Sequence, residues 1–397
     1  MLTPAVSGVS RPPPGKESSM ERSGVTPAGA VTAADLAELA VAQGPFLTVE
    51  LTTEGGIDNA AYRSEQRWKT LRTELQESGA PEEVLAVVDP LVGDAHLHGE
   101  WLGVLATAQG QTHVEHADPA PPRDRGSWAP LPVLLPFLAR RQSSPPYVAV
   151  RADRRGADIV AVRRDRPDLH RQAGGGDDPL AKAAPGGWSQ RRYQQRAENT
   201  WEHNADDVAA EVTRLAHYVD ARLVVVAGDT RAVTMIGDAL PPDVAEILQV
   251  VEGSRSADGS EDVFVEEVER AVTAAVDADT EALLGKFREE LGQSDRATEG
   301  IEATVASLAR AQVEVLLVAD SDRPAAAEER SAWFGPVPTQ LGLSAQELRD
   351  LGVGTPQEAP LLDVVVRAAL GTSAGIRLVP GDAGVAEGLG SILRWSA

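Results

Sequence analysis

The sequence predicts an α/β protein made of three consecutive α/β domains. Its 397 residues are too many for one ordinary core and suit two or three. Short apolar runs of strand length alternate with longer segments of helical period, the pattern of sheets covered by helices. Breaks such as Ser143-Ser144-Pro145-Pro146 separate the blocks. The expected division is a disordered tail over residues 1–30, α/β domains over 31–143 and 147–296, and a third over 297–397.

In order, residues 33–41 read as a short helix and 46–51, with its alternation, as a strand. Residues 58–76 are amphipathic. Pro81 opens another helix that Pro90 is expected to stop. Residues 101–106 and 111–116 read as a hairpin, and 131–139 as a segment broken by Pro132 and Pro136. Strands follow at 147–151 and 158–163, then a long glycine-containing loop over 174–185. A long helix opens near Ser189, a good N-cap, and runs to Val219. Residues 223–227 and 232–236 read as strands, Pro241 as a helix start and 261–291 as a long acidic helix. The last block reads as helix 298–312, strand 313–319, helix 361–370, strand 375–379 and a closing strand 392–395.

Composition narrows the function classes. There is no cysteine, which excludes disulfides and thiolate metal sites and fits a cytoplasmic protein. No run approaches the roughly 18 apolar residues of a membrane helix. The net charge of −23 argues at first against nucleic acid. Its distribution argues otherwise. Residues 140–196 hold 13 Lys plus Arg against 6 Asp plus Glu, while the remainder holds 24 against 54. One basic segment on an acidic body is a local electrostatic footprint for phosphate.

That segment contains Pro185-Gly186-Gly187-Trp188-Ser189-Gln190-Arg191-Arg192-Tyr193. Arg191, Arg192 and Arg196 crowd the first turns of the expected helix, where the helix dipole already presents positive potential. They suit an anion docked at that end, or a solvated helix start. Trp188 suits either a core anchor or a stacking plate for a base.

Gly186, Gly187, Ser189, Arg192 and the aromatic Tyr193 resemble the Gly-Gly-Gln-Ser-x-x-Arg-Phe loop and helix of the archaeal and eukaryotic class-I peptide release factor family, which includes Pelota. Trp188 stands where the family has its catalytic glutamine. Residues 309–318 and the ending Gly388-Leu389-Gly390-Ser391-Ile392-Leu393-Arg394-Trp395 resemble the family's entry into, and exit from, its C-terminal domain. The resemblance covers about residues 147–397 and lies closest to the bacterial branch, with roles in ribosome hibernation and rescue. The stop-codon motifs of true release factors are missing from the N-terminal domain.

The resemblance implies three α/β domains arranged like a release factor. It implies a monomeric translation factor that mimics tRNA, occupies the ribosomal A site and brings its Gly-Gly loop near the peptidyl transferase centre. Ribosomal RNA would be held by Gly186, Gly187, Trp188, Ser189, Arg191, Arg192 and Arg196, with a translational GTPase as a further partner and no cofactor, metal or membrane. One alternative is a peptidyl-tRNA hydrolase in which Gln190 or Gln194 orients water. Another is an acidic scaffold that binds proteins and no RNA.

Two further patterns carry chemistry elsewhere. His96, His98, His113 and His116 fall within a short stretch, and His96 and His98 would share a strand face able to chelate a metal. Gly371-Thr372-Ser373-Ala374-Gly375 matches Gly-x-Ser-x-Gly, but a helix precedes it and a strand follows, the reverse of a nucleophile elbow.

Overall fold

The computed structural model describes residues 33–54, 59–153, 155–163, 168–174, 187–253, 260–293, 295–320 and 326–396, with side chains described at all of these except 187–201, 260 and 261. The expected tail and most of the 174–185 loop lie outside the described residues. The fold is mixed α/β with several sheets, as the alternation requires.

The first block comprises α1 (Ala34–Val41), β1 (Phe46–Thr52), α2 (Ala60–Glu77), α3 (Glu82–Leu85), α4 (Asp89–Val92), β2 (Trp101–Thr107), β3 (Thr112–Ala117), β4 (Arg125–Ala129) and α5 (Leu135–Ser143). Its strands form an antiparallel sheet ordered β3-β2-β1-β4. Pro90 does not stop a helix; it sits in the first turn of α4, where its missing N–H has no helical partner to lose. Pro136 holds the same place in α5, so the expected broken segment is a helix start. Every residue of β1 and β2 is buried, because both sheet faces are covered. Leu47, Val49 and Leu51 meet Trp68, Leu71 and Leu75 of α2. Trp101 and Leu105 face the other way, into a core shared with the end of the chain.

The middle block holds β5 (Tyr147–Asp153), β6 (Gly156–Val162), β7 (Leu169–Gly174), α6 (Gly187–Val219), β8 (Leu223–Gly228), α7 (Thr230–Ala239), α8 (Pro242–Ala245), β9 (Leu248–Val250) and α9 (Ser260–Gly292). The sheet order is β7-β6-β5-β8-β9, with β5, β8 and β9 parallel. Residues 232–236, expected as a strand, are helical in α7. Ala232, Val233 and Ile236 are spaced for one helix face, and the Asp229 carboxylate accepts the backbone N–H groups of Arg231 (3.1 Å) and Ala232 (3.2 Å) as an N-cap.

The last block holds β10 (Ala297–Glu299), α10 (Ile301–Ala309), β11 (Val313–Asp320), β12 (Ser331–Phe334), β13 (Leu341–Gly342), α11 (Ala345–Asp350), β14 (Gln357–Pro360), α12 (Leu361–Gly371), β15 (Gly375–Pro380) and β16 (Leu389–Leu393). Its main sheet runs β10-β16-β11-β15, and β13-β12-β14 form a small second one. The expected helix over 298–312 is divided by Gly300, whose φ of +83° no helix accepts. Glu387 caps the shortened α10, its carboxylate accepting the Ile301 N–H at 2.9 Å.

Two helices tie the blocks together. All of α12 except Leu362 and Gly371 is buried, as an apolar helix without a polar face must be. It packs against α1, so Leu36 and Leu39 join Phe137, Leu316, Val364 and Val365 in one core. Gln142 of α5 adds a polar seam, donating to the Leu378 carbonyl and accepting from its N–H, both at 2.8 Å, on the edge strand β15. Helix α9 serves two cores. Phe264, Val268 and Ala271 cover the middle sheet, and Leu283, Leu284 and Phe287 cover the last one. Between them the buried Arg377 guanidinium donates to the Val276 carbonyl (2.6 Å) and to the Thr280 hydroxyl.

Asp363 is the costly residue of α12. Burial pushes its carboxyl from 3.8 up to about 7. The folded protein therefore binds a proton that the unfolded chain releases between these values, and stability falls as pH rises through that window. Asp363→Asn should raise the melting temperature at pH 8 and flatten its decline between pH 4 and 8, a difference of roughly 4 kcal/mol for a shift of this size. Thermal denaturation of both proteins across that range checks it, and a parallel decline in the variant would refute the assignment.

Candidate functional site

Helix α6 carries the motif that singled out this chain. Ala205, Val208, Ala209, Val212, Leu215, Ala216 and Val219 repeat at steps of three and four and are buried against β5, β6, β8 and α7. Glu202 and His203 are exposed, and burial starts at Asn204. Asn204 and Ala205 line a small cleft with Asp153, the last residue of β5, and with Arg231 at the start of α7. This is the carboxyl-terminal edge of the parallel strands. The other end of α6 meets the start of β8 through the short connection 220–222.

The helix has 33 residues, about 50 Å at 1.5 Å per residue. Among the residues with described side chains, its buried seam on the sheet runs from Asn204 to Val219. The stretch from Gly187 to His203 adds about 25 Å of helix before that seam, which starts beside Asp153 at the sheet edge. Ser189 lies within the helix, two residues after its first, so it is not the expected N-cap. Gly186 lies outside the described residues. Gly187, Trp188, Ser189, Gln190, Arg191, Arg192, Gln194 and Arg196 all lie on the helix, in its stretch without described side chains.

Register alone separates these positions. At about 100° per residue, Trp188, Arg192 and Arg196 fall on the side of α6 opposite the seam of Val208, Val212, Leu215 and Val219. Gln190 and Gln194 fall on the side of the seam itself.

The foot of the helix is polar and ordered. The Asp153 carboxylate accepts the N–H groups of Arg155 (2.7 Å) and Gly156 (3.0 Å), closing the β5–β6 turn. Arg163 lies over the Tyr218 ring, 5.4 Å from its centroid, which braces the far end of α6 on β6. Asp153, Asn204 and Arg231 had no signal in the sequence, because they are brought together only by strand ends and helix starts.

The four histidines do not gather at one site. His96 lies in a 3-10 turn (Ala95–Leu97), so it shares no strand face with His98. His98 and His116 approach with ring centroids 5.0 Å apart, and burial, then the charge of His98, lowers the pKa of His116. His113 instead bonds Glu115 at 2.6 Å, with Asp35 nearby at 3.9 Å. These three are the group among the described residues with metal-ligand spacing. A cation already lies among them. The Arg141 guanidinium bonds Glu115 at 2.5 and 3.0 Å and Asp35 at 2.8 Å, with its side chain only 10% exposed. Burial raises the Asp35 carboxyl, but the hydrogen bond and charge of Arg141 outweigh it and leave the pKa at about 2. Burial likewise raises Glu115, and His113 and Arg141 bring it below its usual value. The donor set is thus a clamp joining α1, β3 and α5. Asp35 and Arg141 escaped the sequence reading because 106 residues separate them.

Ser373 follows α12 with a φ of +57°, and Arg394 donates to the carbonyls of Thr372 (2.8 Å) and Ser373 (2.9 Å). This is a helix end held by an arginine, with the helix-before-strand order that the sequence indicates.

Residues 146–293 match a family model described as bacterial archaeo-eukaryotic release factor family 2. The resemblance read from the Gly-Gly stretch is borne out there. Two uncharacterized proteins from strains of Mycobacterium tuberculosis are each 25% identical over 366 residues, 90% of this chain and 96% of theirs. Among solved structures, Archaeoglobus fulgidus Pelota is 13% identical with a TM-score of 0.32, covering 92% of this chain and 93% of its own. An archaeal translation termination factor, aRF1, is 15% identical with a TM-score of 0.25, covering 91% and 96%. No helix among the described residues is long and apolar enough to cross a membrane.

The clamp makes a testable claim. Its contribution is present above the ordinary Asp35 value of 3.8 and is lost as pH falls toward 2. Arg141→Ala should cost on the order of 2 kcal/mol near neutral pH by leaving a half-buried carboxylate pair without its cation. Denaturant unfolding checks it. Binding of zinc by the wild type at this site, in place of the guanidinium, would overturn the clamp assignment.

Proposed function

We propose that this protein is a ribosome-binding translation factor of release-factor type that acts in hibernation or rescue and does not read stop codons. The observation that supports this reading best is the reach of α6. A chain matching a release-factor family model over residues 146–293 carries Gly187 and Trp188 at the start of a 33-residue helix, about 50 Å long, whose second half is buried on the middle sheet. A stretch at the far end of such a helix can enter a narrow channel while the acidic bulk stays outside. Arg191, Arg192 and Arg196 would meet rRNA phosphates near the peptidyl transferase centre and Trp188 would stack on a base. Such a factor works in the cytoplasm, and a translational GTPase would be its natural delivery partner.

Chemistry at the tip favours binding over hydrolysis. An indole is large, mostly apolar and offers a single N–H donor, so at the position of the family's glutamine it would exclude the attacking water. Gln190 and Gln194 fall on the opposite side of the helix from Trp188.

The protein should co-sediment with ribosomes, and salt should weaken the complex because each phosphate contact releases counterions. Trp188→Ala should weaken binding by roughly 1–3 kcal/mol without lowering the melting temperature. Wild type should leave peptidyl-tRNA on purified ribosomes intact. Release of peptide that disappears in Gln190→Ala or Gln194→Ala would make the protein a hydrolase. Failure to bind ribosomes or tRNA at any salt concentration would defeat the proposal.

A further inference from the structure

A cleft of about 470 Å³ lies where α9 crosses from the middle sheet to the last one. Its floor is apolar, from Leu284, Leu378 and Val379, and its rim carries the carboxylates of Asp277, Glu281 and Asp320. All three rim residues are exposed. The rim comes from two separate elements, α9 and the end of β11, so it exists only because α9 lies across the last sheet.

Nearby cations offset it only in part. Arg288 pairs with Glu281 at 3.0 Å. Arg377 lies beneath α9, held by the Val276 carbonyl and the Thr280 hydroxyl, and its charge acts on Asp277 from inside. The exposed face of α9 on the side of the middle sheet continues the acidic character with Asp262, Glu266 and Glu269.

We infer that this cleft is a docking groove for a Lys/Arg-rich segment of a partner protein. An apolar floor beneath a carboxylate rim matches the anatomy of those side chains, whose aliphatic stems cover apolar surface while the charged heads reach outward. The volume falls in the range of binding pockets and accommodates a few side chains. The same rim repels RNA phosphate, so the groove and the α6 tip sort their partners by charge. The inference does not depend on ribosome binding and stands or falls separately from it.

The test uses the full chain and a fluorescent twelve-residue peptide of alternating Lys, Arg and Leu, followed by anisotropy. The triple variant Asp277→Asn, Glu281→Gln, Asp320→Asn should bind about tenfold more weakly, the sum of three exposed ion pairs of 0.2–1 kcal/mol each. Its melting temperature should match wild type, since the replaced groups are exposed. An equally conservative triple variant at Asp262, Glu266 and Glu269 should bind as wild type does. Equal loss in both variants would mean nonspecific attraction to an acidic body and overturn the groove. Absence of peptide binding, undiminished binding by the first variant, or full displacement by equimolar spermidine would overturn it as well. Wild-type co-sedimentation with ribosomes by the triple variant would leave the reading of the α6 tip intact while the groove is judged on the peptide alone.

Discussion

Everything at the candidate site depends on the seating of half a helix. From Ala205 to Val219, α6 is pinned by an apolar seam on a sheet whose strands are at most seven residues long. A strand of that length spans about 20 Å, and a helix of 33 residues spans about 50 Å. The mismatch forces one end of α6 off the sheet. Because the other end is fixed by the short turn into β8, the free end is the one bearing Gly187, Trp188 and the arginines.

The same economy operates in the rest of the molecule, where helices belong to more than one core. In α12, side chains on every side are buried, so α1 and α5 from the first block must come to cover it. In α9, two apolar stripes separated along one rod serve two sheets, and Arg377 fills the junction with hydrogen bonds to a helix carbonyl and a threonine hydroxyl. A buried guanidinium needs such acceptors, because an unsatisfied charge there would cost several kcal/mol. The first and last blocks are therefore joined through a common core, and the middle block is held by a continuous helix.

Charge is divided in the same spirit. The basic stretch over residues 140–196 runs into the first turns of α6, and the acidic excess lies on the remainder, including the exposed face of α9. Inside the first block the division becomes local. Arg141 stands among Asp35, His113 and Glu115 and turns a set of side chains with metal-ligand spacing into a structural clamp. Of four histidines close in sequence only His98 and His116 meet, because a 3-10 turn and a strand aim the others differently.

The sequence by itself determined the periodic elements. The long helices, the hairpin of β2 and β3 and the buried strands β8 and β11 all follow from spacing of apolar residues, which is a local property. It also carried the Gly-Gly stretch and its resemblance, since a motif is contiguous. It misread Ala232–Ile236, a short apolar run whose helical fate rests on one capping aspartate, and it missed edge strands β4, β7 and β9, which carry little apolar pattern because one side or both faces water. Only the tertiary structure decided that the helix bearing the motif outruns its sheet, that Arg141 reaches Asp35, and that α9 crosses β15 to leave an acid-rimmed cleft. Each of these is a distance between residues far apart in the chain, and such distances are set by which apolar faces find each other on folding, a sum over many contacts that no local pattern encodes.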